Sequence, residues 1–207
     1  VILNWNGTKF LQQFLPSLIQ FSIGADIYVA DNASIDDSIP FLEQNYPTVK
    51  IIRIEKNLGY AGGYNYALKK INSTHCVLLN NDVEVSKDWL EPMKELMYNN
   101  PSISVIQPKI LSQKDRQYFE YAGAAGGFID RFGYPFCRGR IFSEVEKDNG
   151  QFEQNTQIFW ASGACFMVRM DDFNKAGGFD DLFFAHMEEI DLCWRLNNMG
   201  KKIYYCY

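Results

Sequence analysis

No two of the five cysteines, Cys76, Cys137, Cys165, Cys193 and Cys206, stand at C-x-x-C spacing, and their number is odd. That pattern argues against a disulfide framework and a structural zinc site, and it fits reduced thiols in a cytoplasmic protein. No basic run occurs, and the net charge is -5. A nucleic-acid partner, which needs a cationic face, is not expected. No apolar run approaches the roughly 20 residues of a membrane-spanning helix, so any membrane association is expected to be peripheral, at the inner face and through segments outside this sequence. The glycine fingerprints of dinucleotide-binding and P-loop proteins are also missing. An acidic chain can still hold an anionic ligand if a divalent cation bridges the two.

What is present is an ordinary globular composition, 47% hydrophobic and 22% charged, over a length that supports one domain with a sizeable core. Aromatics make up 15%, and most are expected to pack inside. Val1 sits within an apolar run and Tyr207 within the strand-like stretch Ile203 to Tyr207. Residues 1–207 therefore read as a single domain truncated at both ends.

The first two-thirds alternate strands and helices. Val1 to Leu3, Ile27 to Ala30, Ile51 to Ile54, Cys76 to Leu79 and Val105 to Gln107 read as short buried strands. Between them, Phe10 to Phe21, Ser38 to Asn45, Tyr60 to Ile71 and Asp88 to Asn99 read as helices, the first with Pro16 as a kink or early stop. Residues 112–156 lose the period and read as an irregular insertion with small antiparallel strands. Regularity returns at Phe159 to Val168, and Glu189 to Met199 reads as a helix closed by Gly200. Such alternation implies an α/β fold whose mostly parallel sheet is covered by helices on both faces. Ligands on such sheets bind beyond the carboxyl ends of the strands. The residues there are Asn4 and Asn6, Asp31 and Asn32, Lys56 and Asn57, and Asn80, Asn81 and Asp82.

Four segments can carry chemistry, and each has a plain structural alternative. In Val77-Leu78-Leu79-Asn80-Asn81-Asp82-Val83-Glu84 a buried strand delivers Asp82 to the sheet edge. If the segment stays extended, Asp82 and Glu84 point the same way, as hard oxygen ligands for Mg²⁺ or Mn²⁺; the alternative is a solvated turn. In Asp31-Asn32-Ala33-Ser34 a strand-end carboxylate can accept from a base N–H or a ribose hydroxyl, or simply cap a turn. Lys56-Asn57-Leu58-Gly59-Tyr60-Ala61-Gly62-Gly63-Tyr64-Asn65 joins small residues, which allow close backbone approach, to a helix N-terminus that favours anions. A tight loop entering a helix explains it equally well. In Met187-Glu188-Glu189-Ile190-Asp191-Leu192-Cys193-Trp194-Arg195 the acids suit a first helical turn, and Asp191 and Arg195 are spaced for an ion pair. Neighbouring Glu188 and Glu189 project roughly 100° apart and are not expected to face one acceptor together.

Taken in order, Asn4-Trp5-Asn6-Gly7, Asp31-Asn32-Ala33-Ser34, Asn57-Leu58-Gly59, Leu79-Asn80-Asn81-Asp82, Gly177-Gly178-Phe179-Asp180 and Glu188-Glu189-Ile190-Asp191-Leu192 resemble family 2 glycosyltransferases over nearly the whole chain. The resemblance implies an inverting enzyme of the GT-A fold, of hexosyl- or deoxyhexosyl-transferase type, acting in polysaccharide biosynthesis. It implies a nucleotide-sugar donor, a saccharide or lipid-linked saccharide acceptor and a divalent cation. Asp31 would contact the nucleotide base, Asp82 would be the metal-binding Asp of the family's DXD motif, and Glu189 would be the catalytic base, with Glu188 and Asp180 as the other candidates. Asn4, Asn6, Asn32, Lys56, Asn57, Gly59, Gly62, Asn65, Asn80 and Asn81 would surround the donor, and Glu84 would join Asp82 at the metal. Two departures stand out: Asn80 replaces the first Asp of DXD, and Glu189 replaces the usual Asp. A sugar nucleotidyltransferase would want a glycine-rich basic loop after the first strand, where Asn4-Trp5-Asn6-Gly7-Thr8-Lys9 offers one Gly and one Lys. A non-catalytic nucleotide-sugar-binding domain is the third reading.

Overall fold

The computed structural model describes all 207 residues. Its strands are β1 (Ile2–Asn4), β2 (Tyr28–Asn32), β3 (Lys50–Ile54), β4 (His75–Asn80), β5 (Ile103–Pro108), β6 (Gly127–Ile129), β7 (Pro135–Cys137), β8 (Arg140–Ile141), β9 (Glu144–Val145), β10 (Thr156–Ile158), β11 (Cys165–Arg169) and β12 (Lys202–Cys206). Its helices are α1 (Thr8–Phe21), α2 (Ser38–Asn45), α3 (Gly59–Leu68), α4 (Glu91–Asn99), α5 (Met170–Lys175) and α6 (Glu188–Asn198).

An eight-stranded sheet in the order β10-β12-β5-β11-β4-β1-β2-β3 forms the centre. Strands β1 to β5 and β12 run one way, while β10 and β11 run against them. The strand β4 shows why both faces are covered: Cys76 and Leu78 join the apolar cluster of α3, α5 and α6, whereas Val77 and Leu79 join the cluster holding α1 and α2. Alternation along one strand thus feeds two helical layers. Each fully buried Leu, such as Leu78, Leu11 or Leu42, contributes about 1.5–3 kcal/mol of burial.

The helix α1 runs through Pro16 without a break. Leu11, Phe14, Leu15 and Leu18 bury one face, Pro16 stands on the exposed side, and Ser17 Oγ donates to Phe14 O at 2.9 Å. The carbonyl that proline deprives of a partner therefore lies on the exposed side of the helix, where the loss is small. The expected helix at Asp88 begins only at Glu91, because Asp88 has φ +59 and Pro92 fits the first turn. Of the stretch expected from Phe159 to Val168, only Cys165 onward is strand, in β11; β10 ends before it at Ile158, and α5 follows β11 directly. The insertion carries two small antiparallel pairs, β6 with β7 and β8 with β9.

Two features of topology position the site. After β3 the chain returns to place β4 on the other side of β1, so the strand order reverses there and leaves a crevice at the carboxyl ends of β1 and β4. Antiparallel β11 lies beside β4 with Cys165 opposite Leu79, which brings its leading residues, 162–164, to that same edge.

Candidate active site

Asn4 and Asp31 are register partners at the ends of β1 and β2, and both are buried. Asn4 Nδ2 donates to Asp31 Oδ1 at 3.2 Å and to Ser34 Oγ at 3.3 Å, while Asn4 Oδ1 accepts from Asn81 Nδ2 at 3.0 Å. Asp31 Oδ2 accepts the backbone N–H of Ser34 at 3.1 Å, and Asn6 Oδ1 accepts that of Ile35 at 2.8 Å. Burial without such partners would cost each polar group about 1–3 kcal/mol. The strand ends are thus locked to one another, with Ala33 at φ +63 making the turn.

The glycine-rich segment is organised by Asn32. Its Oδ1 accepts from Leu58 N at 2.9 Å, and its Nδ2 donates to Asn57 Oδ1 and to Gly59 O, each at 3.0 Å. Gly59 has φ +71, and a Cβ there would stand 2.3 Å from Phe184 O, so only glycine fits. A Cβ on Gly62 would meet Leu58 Cβ at 3.0 Å. Asn65 is committed within the protein: it donates to Phe179 O at 2.8 Å and Asp181 Oδ1 at 2.6 Å and accepts from Phe179 N at 3.0 Å. Lys56 is exposed.

A cleft of about 1350 Å³ opens at the carboxyl ends of β4 and β5. Asn80, Asp82, Glu84, Tyr60, Glu188 and Glu189 all line it. Residues 81–82 form a turn, so strand alternation does not place Asp82 and Glu84 side by side as an extended segment would. Asp82 is exposed, whereas Glu84 accepts from Arg116 at 2.6 Å. No three His, Cys, Asp or Glu side chains are grouped to hold a metal. The exposed carboxylate of Asp82 on the cleft wall nevertheless suits a hard cation that takes one or two protein carboxylates and completes its shell with phosphate and water.

The start of α6 borders the same cleft. His186 and Met187 precede it at φ +73 and +74, a strained entry for non-glycine residues. Glu188 is buried, Glu189 is partly buried, and Oε2 of each is shut from solvent without a hydrogen-bond partner. Burial raises the Glu188 pKa, opposed by its own backbone N–H and by His186. Burial and then the charge of Glu188 push Glu189 up to about 7. Both acids line the cleft, so the expected 100° separation does not keep Glu188 out of it; the two titrate as neighbours. Asp191 is paired: its Oδ2 accepts from Arg195 Nε at 2.9 Å and Nη2 at 2.6 Å. Asp180 is exposed and accepts the N–H of Leu182 at 2.9 Å.

Tyr60, Gly163 and Arg116 also line the cleft, though none is a site candidate from sequence. Tyr60 and Gly163 meet across 103 positions and Arg116 and Glu84 across 32, and no local period marks such pairs.

Glycosyl transferase family 2 matches residues 1–177. The chain belongs to that family. It is 24% identical to the N-acetylglucosaminyl-diphospho-decaprenol L-rhamnosyltransferase of Mycobacterium tuberculosis, covering 97% of this chain and 70% of that protein. It is 26% identical to a low-salt glycan biosynthesis hexosyltransferase of Haloferax volcanii, over 88% of this chain and 56% of the relative. Among solved structures, GalNAc-T7 with UDP, GalNAc and Mn²⁺ superposes with a TM-score of 0.76 at 16% identity, covering 99% of this chain and 41% of that one. The mannosyltransferase PcManGT from Pyrobaculum calidifontis, in complex with GDP-Man and Mn²⁺, gives 0.67 at 12% identity, over 98% and 52%. The chain thus spans roughly two-fifths to a half of those solved chains, and the fold is of GT-A type. No helix is long and apolar enough to cross a membrane.

Proposed function

We propose that this chain transfers a sugar from a nucleotide-sugar donor to an acceptor hydroxyl, with inversion and with the help of a divalent cation, Glu189 acting as general base. The observation that carries the reading is the Glu189 carboxylate, with one oxygen buried and unpartnered and its pKa near 7, in the cleft that also holds Asp82. A base whose pKa lies near the working pH is both ionised and basic enough to take a hydroxyl proton.

In this reading Asp31 holds the nucleotide base at the end of β2, and Asn4, by donating to Asp31, fixes the rotamer in which it does so. Asn32 keeps the 57–59 loop folded so that its backbone can approach the donor closely, with Gly62 at the helix start. Asn6, Lys56, Asn80 and Asn81 would complete the surroundings of the donor. Asp82 would hold the cation, and Glu84 would join it only by releasing Arg116. Mg²⁺ or Mn²⁺ there would neutralise the charge that builds on the leaving diphosphate. Glu189 takes the proton of the acceptor hydroxyl as its oxygen attacks the anomeric carbon. One displacement needs one base and inverts the configuration. Glu188 keeps its neighbour's pKa high, and Asp180 remains the alternative base. The acceptor is a saccharide or lipid-linked saccharide, as the name of the mycobacterial relative suggests.

A second reading, a domain that binds sugar nucleotides without turnover, draws on the lack of any three-residue metal cluster. A thermal-shift panel of UDP-, GDP- and dTDP-sugars with and without Mn²⁺ tests the shared part, because a ligand that binds only the folded state raises its stability. Release of nucleoside diphosphate separates the enzyme from the binding domain. No stabilisation by any sugar nucleotide would contradict both.

A further inference from the structure

Tyr60, at the start of α3, ties three segments of the cleft together. Its N–H donates to Phe184 O at 2.7 Å, in the loop before α6. Its ring packs edge-on against Tyr64 and Phe179, with centroids 4.7 and 5.8 Å away. Its hydroxyl donates to Gly163 O at 2.6 Å. The 162–164 turn is pinned on its other sides too. Ser162 N donates to Gln107 Oε1 at 2.7 Å, and Ala164 O accepts from Asn80 N at 2.9 Å.

The same turn borders the proposed base. A Cβ built on Gly163 would lie 3.0 Å from Tyr60 Oη and 3.9 Å from Glu189 Cδ, which with Tyr60 Cζ are its three nearest neighbours. Phenol, glycine and carboxylate therefore converge on one stretch of cleft wall. We infer that Tyr60 is a positioning residue, whose hydroxyl holds the 162–164 turn closed against Glu189 and so keeps water from the inner side of that carboxylate. This rests on the reading of Glu189 as the base.

Glu188 and Cys193 interact with Glu189 from its own helix, His186 acts on Glu188 from the preceding loop, Tyr60 and its neighbour Tyr64 come from α3, and Cys165 interacts with Tyr60 from β11; Asp82 and Glu84 line the same cleft. Burial raises the Glu189 pKa most, and the charge of Glu188 adds to it. Exclusion of water is then the main influence on its proton, and the Tyr60–Gly163 tether controls that exclusion. Without the hydroxyl, Gly163 O loses a buried donor, the turn loosens, and the carboxylate hydrates.

The test is the titration of Glu189 followed by ¹³C NMR on glutamate-labelled protein, with its signal assigned by its loss in Glu189→Gln. Tyr60→Phe keeps the ring and removes only the hydroxyl. It should lower the Glu189 midpoint by about one unit while leaving a folded protein. An unchanged midpoint in Tyr60→Phe would overturn the inference and leave the proposed reaction standing. A wild-type midpoint at the ordinary glutamate value would overturn both.

Discussion

The amide of Asn4 donates to the carboxylate of Asp31 across neighbouring parallel strands at 3.2 Å, both residues being buried. The pair converts two strand ends into one rigid corner, because Asn4 also accepts from Asn81 and donates to Ser34. Asp31→Ala should weaken a free nucleoside diphosphate and its sugar conjugate by the same factor in isothermal titration. An effect confined to the sugar-bearing ligand would remove Asp31 from the nucleotide. Asn4→Ala leaves buried partners unmatched and should cost about 1–3 kcal/mol of stability, read by denaturant unfolding, along with part of the nucleotide affinity.

Asp82 carries the metal assignment. It is exposed on the cleft wall, whereas Glu84 is ion-paired with Arg116. Binding of nucleoside diphosphate to the native chain should strengthen with Mn²⁺ and fall with a chelator. In Asp82→Ala the two conditions should give the same affinity. If the native chain already binds equally with and without chelator, the cation has no place in the account.

A pH effect on stability follows from the raised Glu189 pKa. An unfolded glutamate titrates near its ordinary value, and the folded one near 7. Between those values the folded state holds a proton that the unfolded state has lost, so this carboxyl's contribution falls as pH rises through the window. Glu188, also raised, acts in the same direction. Glu189→Gln should therefore be more stable than the native chain at pH 8, by on the order of 1–3 kcal/mol, and nearly equal to it at pH 4.5. Melting curves at the two pH values check this; a variant less stable at pH 8 would contradict it.

Local chemistry made much of this fold legible. Apolar runs broken by Asn and Asp mark the strand ends, and α2 spans Ser38–Asn45 as its pattern predicts. The Asp191–Arg195 pair follows from helical spacing alone. What escaped is non-local. Nothing in the run Cys165–Arg169 announces that it lies antiparallel between β4 and β5. The amide of Asn65 looks available to a ligand until Phe179 and Asp181 are brought to it across more than a hundred positions. The burial of Glu188 and Glu189 also depends on partners distant in sequence, so their residue types could be read from the chain but their raised pKa values could not.

The central claim is that Glu189 removes the proton of the acceptor hydroxyl, and turnover of Glu189→Gln as a function of pH tests it most directly. Glutamine keeps the shape and cannot take a proton. With the donor identified by thermal shift and its acceptor supplied, native turnover should rise with pH to a plateau through a midpoint near 7, where Glu189 ionises. The variant should lose that limb and turn over about 10²-fold or more slowly, with donor affinity nearly intact. Near-normal turnover in Glu189→Gln with an inactive Glu188→Gln would move the base one residue back. Activity in both variants would contradict the account and leave Asp180 as the carboxylate to examine.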